Sequence, residues 1–345
     1  MTYTDIAILR LSSLGDIIHT LPAFNLLRKR HPEARISWIV EPAGAKLLEN
    51  FSGIDEIIVI RLKAPTLLEK LKEVKRVIAK YRKKFDLLLD FQGLLKSAVL
   101  SSLLKSYAVG FNRKNLREPA AGLFYKKKAD FFDESNHVIF KNIHLVNSLE
   151  GSATAADIEY PPLEEISPGE TITRFFADHK LVPKKYYILN VGGGWETKIL
   201  HNNQYIHIVN RLKEKQPDDK PIVILWGNEK EKEAAENISR ETGAPVSVFL
   251  NFSDLIRFIG QACLIITADT LSLHIADMVG TPSVGIFGPT SPGRNGSLLA
   301  DSKAVYENLS CNFCYKKKCG TIECIKNLNL EEIVQAVEKI NEKCG

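Results

Sequence analysis

Residues 6–22 read Ile-Ala-Ile-Leu-Arg-Leu-Ser-Ser-Leu-Gly-Asp-Ile-Ile-His-Thr-Leu-Pro. A short apolar run gives way to two serines, a glycine and one acid, and a helical pattern follows. Ile6–Leu11 has the length and composition of a buried strand, and Pro22–Arg30 carries apolar residues at three- and four-residue spacing, the period of a helix packed on one side. A strand that leaves through small residues into a helix opens a βα unit. Working outward, the alternation recurs. Further strands are expected at Ile36–Val40, Glu56–Ile60, Leu87–Asp90 and Ala108–Gly110, with helices at Thr66–Tyr81 and Leu95–Leu104. A second series places strands at Tyr186–Val191, Ile222–Trp226, Val246–Phe249, Leu264–Thr267 and Ser283–Phe287, and helices at Tyr205–Gln216, Lys230–Thr242, Ser253–Gln261 and Ser272–Met278.

Each series predicts a doubly wound parallel sheet, so the fold class is α/β with two Rossmann-like domains. Ala155–Pro168, acidic and holding three prolines, breaks the pattern and reads as the linker. The division is therefore residues 1–160, residues 161–330, and a terminal segment 331–345. That last segment belongs to an amphipathic helix over Leu330–Lys343, expected to pack back on the first domain.

A chain of 345 residues can bury two cores. No apolar run reaches the roughly 18–20 residues that cross a bilayer. The start, MTYTDIAILRLSSLGD, has neither a basic n-region nor a small-residue cleavage site, so the chain is expected in the cytoplasm. The net charge of +5 is unevenly spread: residues 1–160 hold 25 Lys/Arg against 18 Asp/Glu, and the remainder 21 against 23. Arg28-Lys29-Arg30, Arg82-Lys83-Lys84, Arg113-Lys114 with Arg117, and Lys126-Lys127-Lys128 supply that excess. Such runs are solvated faces or contacts for an anionic partner or membrane surface. They are not interleaved with stacking aromatics, which argues against a nucleic-acid partner.

Ligands of open α/β sheets bind beyond the carboxyl ends of the strands, so the exit loops are the candidate sites. The first exit, Arg10–Asp16, brings backbone N–H groups and a carboxylate to the cleft edge; Asp16 is equally a reactive acid or a helix cap. The second, Asn190–Lys198, holds Gly192, Gly193 and Gly194, which let a backbone approach a ligand, with Lys198 at a distance suited to a phosphate. A simple tight turn is the alternative there, and Thr197 stands where a dinucleotide fingerprint would need a third glycine. In the third exit, Ile265–His274, an apolar strand runs through Asp269-Thr270 into a helix whose positive end suits a diphosphate. His274 is a further donor or a packed helical residue. The fourth, Trp226–Glu229, offers Glu229 to ribose hydroxyls or to solvent.

Together these exits resemble the lipopolysaccharide heptosyltransferases, glycosyltransferase family 9, over nearly the whole chain. The resemblance rests on Ser12–Ala23, Asp90–Ser97, Arg117-Glu118-Pro119 with Leu123-Phe124-Tyr125, Trp226-Gly227, Asp269-Thr270 with His274, and Phe287-Gly288-Pro289-Thr290. The middle blocks lean toward the heptosyltransferase I branch. The resemblance implies a GT-B fold, two Rossmann-like domains facing a central cleft. It implies metal-independent, cofactor-free transfer of heptose from an ADP-sugar donor to a Kdo residue of an anionic, lipid A-linked acceptor. The enzyme would then sit peripherally at the cytoplasmic face of the inner membrane.

By the same resemblance Asp16 is the catalytic base. Gly193, Gly194, Lys198, Glu229, Asp269, Thr270, Leu271 and His274 form the donor set, and Ser13, Lys96 and Arg117 contact the acceptor. Two departures stand out: Ile199-Leu200-His201 replaces a tryptophan and proline, and Leu271 replaces a glycine. Two alternatives remain: a relative using another nucleotide sugar or a later core acceptor, and a GT-B-fold sugar-nucleotide isomerase or binding protein.

Cys311, Cys314, Cys319 and Cys324 give C-x2-C-x4-C-x4-C. The first gap has zinc-ligand spacing, and the later gaps match no standard metal pattern. Reduced cysteines packing a loop are the favoured reading, and a structural metal is the alternative. Cys263 reads as core and Cys344 as an exposed thiol.

Overall fold

The computed structural model describes residues 3–215 and 220–342. Gln216, Lys343 and Cys344, which figure in the sequence-based expectations, lie outside them. The chain divides into two compact units, Met1–Glu165 and Ile166–Gly345.

In the first unit the elements are β1 (Asp5–Leu9), α1 (Leu14–Arg30), β2 (Arg35–Val40), α2 (Pro42–Leu48), β3 (Glu56–Val59), α3 (Leu67–Tyr81), β4 (Leu87–Asp90), α4 (Leu95–Leu104), β5 (Tyr107–Gly110), β6 (Lys127–Lys128) and α5 (Val138–Asn147). The sheet order is β3-β2-β1-β4-β5-β6, with every pair parallel. Ile6, Ala7, Ile8 and Leu9 have no exposure, as expected of a strand covered on both faces. The chain winds one way from β1 to β3 and the other way from β4, so the crevice lies between the exits of β1 and β4. Gln92, just past β4, ties the two exits together. Its Oε1 accepts from the amides of Leu11 at 2.9 Å and Ser12 at 3.1 Å.

The second unit contains α6 (Glu170–Asp178), β7 (Tyr187–Asn190), α7 (Asn202–Lys215), β8 (Ile222–Leu225), α8 (Glu229–Thr242), α9 (Phe252–Gln261), β9 (Leu264–Ala268), α10 (Leu271–Met278), β10 (Ser283–Ile286), α11 (Pro292–Asn295), β11 (Lys303–Val305), α12 (Glu323–Lys326) and α13 (Leu330–Asn341). Its parallel sheet runs β11-β10-β9-β7-β8. Here the order reverses between β7 and β9, which brings the glycine-rich exit of β7 beside the Asp269–Thr270 exit of β9.

Several expectations need correction. Helix α1 begins at Leu14, not Pro22, because Ser13 and Asp16 form a capping box that starts it two turns earlier and leaves Pro22 inside. Val246–Phe249 is no strand: Val246 makes one isolated bridge to Ile224, and Phe249 is exposed. The terminal helix α13, expected to pack back on the first domain, puts its apolar face into its own unit. Ile333, Val334, Val337 and Ile340 are buried in the second unit's own core, against elements that include α7 and β10.

The Asp90–Ser97 block has a structural basis. Asp90 ends β4 fully buried. Its Oδ1 accepts from the amides of Gln92 (2.9 Å) and Gly93 (3.1 Å), and its Oδ2 from the Tyr125 hydroxyl at 2.8 Å. Gly93 sits at φ +64°, where a side chain would be strained. Burial pushes the Asp90 carboxyl above its usual range, against hydrogen bonds from Ser97, Gly93, Tyr125 and Gln92 that favour the ionised form. Gly110 is required beside Tyr125, because a Cβ there would lie 2.2 Å from its ring. Tyr125→Phe is therefore expected to destabilise the first unit by about 1–3 kcal/mol, the cost of a buried acceptor losing its donor. Denaturant unfolding measures it, and an unchanged midpoint would refute this account of the block.

Candidate active site

In the first unit the relevant side chains gather where β1 passes into α1. Asp16, on the first turn of α1, is held on both oxygens. Arg10 Nη2 lies 2.7 Å from Oδ1, and the Ser13 amide and hydroxyl donate to Oδ2 at 3.1 and 2.9 Å. Arg10 is itself buried, and its Nη1 donates to the Phe91 carbonyl past β4. The guanidinium thus spans the switch point and fixes the carboxylate by a charge-assisted contact. The Asp16 side chain stays 38% exposed, so the oriented acid remains open to solvent. Asp16 does cap its helix, and that role leaves it accessible. Arg10 was not singled out from sequence, although a basic residue in an otherwise apolar strand exit was the available signal.

Lys96 lies exposed on the first turn of α4, and Arg117 is exposed on the loop before Pro119. Glu118 beside it accepts from the Leu95 amide at 2.6 Å, satisfying one open donor at the start of α4.

In the second unit the crevice between β7 and β9 holds a buried charged cluster. Asp269 follows β9 and is 4% exposed. Lys198, on a short 3-10 turn after the glycine loop, donates to the Asp269 carbonyl and Oδ2, both at 2.8 Å. His274 Nε2 lies 3.2 Å from Oδ1, and Asn295 Nδ2 donates to Oδ2 at 3.1 Å. Burial alone would push the Asp269 carboxyl up. The His274 hydrogen bond, with the charges of His274 and Lys198, outweighs it and holds the group far below the usual carboxylate range. With His274 protonated the trio carries a net positive charge; with His274 neutral it carries none.

Helix α10 starts beside this cluster. Thr270 is its N-cap but makes no side-chain cap; its Oγ1 instead meets Asn190 Nδ2 and Thr267 Oγ1, both at 3.2 Å. Asn190, the last residue of β7, also donates to Thr267 Oγ1 at 2.9 Å and so clamps the two strand ends. The opening amides of α10 therefore keep the donor capacity and positive potential of a helix start. Leu271 is its half-buried first residue, and the His274 amide is the first to reach back, to the Thr270 carbonyl.

The three glycines play different parts. A Cβ at Gly192 would meet the Glu231 carboxylate at 2.6 Å and one at Gly193 would meet Ile199 at 2.7 Å, whereas Gly194 faces open space. Only Gly194 leaves its close approach to something other than this chain. Glu229, expected near a ribose, is the exposed first residue of α8. Glu231 is the acid that reaches the glycine loop, accepting from Gly193 N at 3.2 Å and Gly227 N at 2.8 Å. Asn228 caps α8 through the Glu231 amide, which makes Glu231 the third helical residue, the position from which an acid reaches back to the turn before it. The structure thus assembles Lys198, Asp269, Thr270 and His274, adds Asn190, Glu231 and Asn295, and leaves Glu229 apart.

Of the four clustered cysteines, Cys311, Cys314 and Cys319 are exposed and Cys324 is half-buried; all are free thiols. Burial, then the charges of the other three, push the Cys324 thiol up, while the Ile322 and Thr321 amides pull Cys319 down. Among the described residues no three or more His, Cys, Asp or Glu side chains are grouped so as to hold a metal ion.

Two Rossmann-like units, one presenting an oriented carboxylate and the other a helix start beside a lysine–aspartate–histidine cluster, are the parts of a GT-B fold, and the family match makes the chain a glycosyltransferase. The particular family follows from comparison. The profile of glycosyltransferase family 9 (heptosyltransferase) matches residues 74–324, and the chain belongs to that family. It is 29% identical to lipopolysaccharide heptosyltransferase 1 of Campylobacter coli over 300 residues, 84% of this chain and 85% of that one. Among solved structures, the E. coli heptosyltransferase WaaC with ADP superimposes with a TM-score of 0.72 at 20% identity, over 99% of this chain and 100% of that one. WaaC with ADP-2-deoxy-2-fluoro heptose gives 0.71 over the same shares of the two chains, also at 20% identity.

Proposed function

We propose that the protein is an inverting heptosyltransferase that moves L-glycero-D-manno-heptose from its ADP derivative to a Kdo residue of a lipid A-linked inner-core acceptor. The observation that carries this reading is the uncapped start of α10 beside Lys198, Asp269 and His274. Transfer leaves charge on the departing diphosphate. Oriented helix amides, Lys198 and the His274 ring would bind that charge more tightly in the transition state than before it. Lys198 has three N–H donors and spends two on Asp269. Gly193 and Gly194 belong to the loop beside the donor, Leu271 and Thr270 to the helix start, and Glu231 takes the place first given to Glu229.

Asp16 is the base in this proposal: the acceptor hydroxyl loses its proton to the carboxylate as the new glycosidic bond forms and ADP departs. Arg10 and Ser13 orient that carboxylate. Lys96 and Arg117, exposed cations of the basic first unit, suit an acceptor that bears carboxylates and phosphates. The acceptor places the enzyme peripherally at the cytoplasmic face of the inner membrane; no described helix is long and apolar enough to cross it.

The test is incubation with ADP-heptose and Kdo-lipid A, followed by mass analysis. One heptose added to Kdo is the expected product. Transfer only to an acceptor already carrying heptose would assign a later core step, and conversion of the nucleotide sugar without acceptor would assign an isomerase.

A further inference from the structure

The first unit carries an apolar groove of about 670 Å³ that borders Lys96, one of the proposed acceptor contacts, and otherwise holds none of the proposed donor or base residues. Its walls are Leu62, the faces of α3 and α4 bearing Leu71, Val74, Leu95 and Leu103, and the start of α4 with Lys96 and Glu118. Helix α3 explains why it is open. Its apolar stripe runs through Leu67, Leu71, Val74 and Ile78, the spacing of one helical face. The C-terminal half of α3 is packed into the unit's core: Val77 and Tyr81 are buried, and Val74 and Ile78 lie against them. The N-terminal half projects past that core, with Leu67 72%, Leu68 62% and Leu71 48% exposed. Thr66 and Glu69 cap this end in a capping box, so the projecting turns are held as helix. A built helix end carrying leucines into solvent, next to a groove walled by more leucines, is an interaction surface.

Charge identifies what it meets. Residues 61–128, which build every wall of the groove, hold 18 Lys/Arg against 5 Asp/Glu, far more than the whole chain's balance requires. On α3, Arg76 and Lys80 are paired with Glu73 and Glu56, whereas Lys70, Lys72 and Lys75 are in no ion pair among the described residues. Lys96 at the groove is likewise unpaired. The carboxylate in the lining, Glu118, is engaged on the Leu95 amide. A protein partner or a second copy of this chain would have to match an apolar strip set in cations with an apolar strip set in anions. An anionic bilayer offers both: hydrocarbon for the leucines, and phosphates at the level that lysine stems reach.

We propose that the α3–α4 groove docks on an anionic lipid bilayer, with Leu67, Leu68 and Leu71 among the acyl chains and Lys70, Lys72 and Lys75 over the headgroup phosphates. This rests on the reading of the acceptor as a membrane lipid and adds the surface that meets the membrane. None of these six side chains belongs to the proposed donor or base machinery.

The experiment is sedimentation of the full chain with phosphatidylethanolamine vesicles, with and without phosphatidylglycerol. Binding is expected only with the anionic lipid, weakening as salt is raised. Leu67→Ser/Leu68→Ser/Leu71→Ser is expected to lower the bound fraction about tenfold at any salt. Lys70→Glu/Lys72→Glu/Lys75→Glu is expected to abolish the phosphatidylglycerol dependence. Wild-type vesicle binding by both variants overturns the proposal, as does a leucine variant that changes the oligomeric state while still binding vesicles. Heptosyl transfer to a deacylated, soluble acceptor separates the two ideas. The leucine variant should match the wild type there and lose rate only on vesicle-embedded acceptor. If the wild type itself fails on every Kdo acceptor, the functional reading falls while the vesicle result stands by its own measurement.

Discussion

Asp16→Asn is expected to lower heptosyl transfer by about 10²-fold or more while ADP-sugar binding stays at the wild-type level, the scale of effect a positioned general base contributes. Asparagine preserves the shape of the side chain and can still accept from the Ser13 amide and hydroxyl, so the helix start at Leu14 should survive. It cannot take up a proton, and it leaves the buried Arg10 facing a neutral amide. That second consequence needs its own control. Because Asp16 is more than a third exposed, water screens part of the lost ion pair, and the variant should remain folded with an unfolding midpoint close to the wild type's. Single-turnover transfer with saturating donor, alongside ADP affinity by calorimetry, makes the measurement. Retained turnover would take the proton-accepting role away from Asp16, and weakened ADP affinity would mean that the variant disturbs more than the chemistry.

Those parts of the site that sequence made visible were visible for one reason. Parallel strands buried on both faces are continuous apolar runs, their ends are marked by small and acidic residues, and ligands of such sheets sit at those ends. Asp16, the glycine loop and Asp269–His274 all follow from that rule. What sequence could not show is which side chains fold onto which. Glu229 and Glu231 are both acids at the start of α8, and the choice turns on Asn228 acting as cap, which fixes the helix phase and points Glu231 at Gly193. Lys198 reads as a solitary cation until the reversal between β7 and β9 sets it against Asp269.

One edge of each sheet escaped for a related reason, while the opposite edges, β3 and β8, were legible as apolar runs. β6 is Lys127–Lys128 and β11 is Lys303–Val305, short edge strands whose lysines discourage further pairing and erase the apolar signal. In the opposite direction, Val246–Phe249 has strand composition but ends in an exposed Phe249 whose ring lies tilted against Trp226, so composition alone promised a strand the sheet does not use.

Asp269→Asn should give the largest stability change of any single substitution at the donor crevice, about 3–5 kcal/mol at neutral pH, the cost of removing one partner from a buried ion pair. The geometry supports that scale. Asp269 and Lys198 are 3% and 11% exposed in their side chains, so water cannot replace what the carboxylate gives. Its Oδ1 and Oδ2 are met by His274, Lys198 and Asn295, and an amide in its place would turn an N–H toward one of these donors.

The pH dependence has a definite sign. Asp269 is held far below its ordinary value in the folded protein, so its contribution is fully present above the unfolded carboxylate value of about 4 and is lost as pH falls toward the depressed folded value. Denaturant unfolding of the second unit should therefore show a wild-type advantage over Asp269→Asn at neutral pH that shrinks on acidification below about pH 4. A gap that persisted unchanged into acid would mean that the variant acts through shape rather than charge. A gap below about 1 kcal/mol at neutrality would mean that Lys198 and His274 find other partners without cost. Loss of ADP affinity in the same variant is the corollary, since this carboxylate holds Lys198 beside the start of α10 and fixes the ring of His274 on that helix.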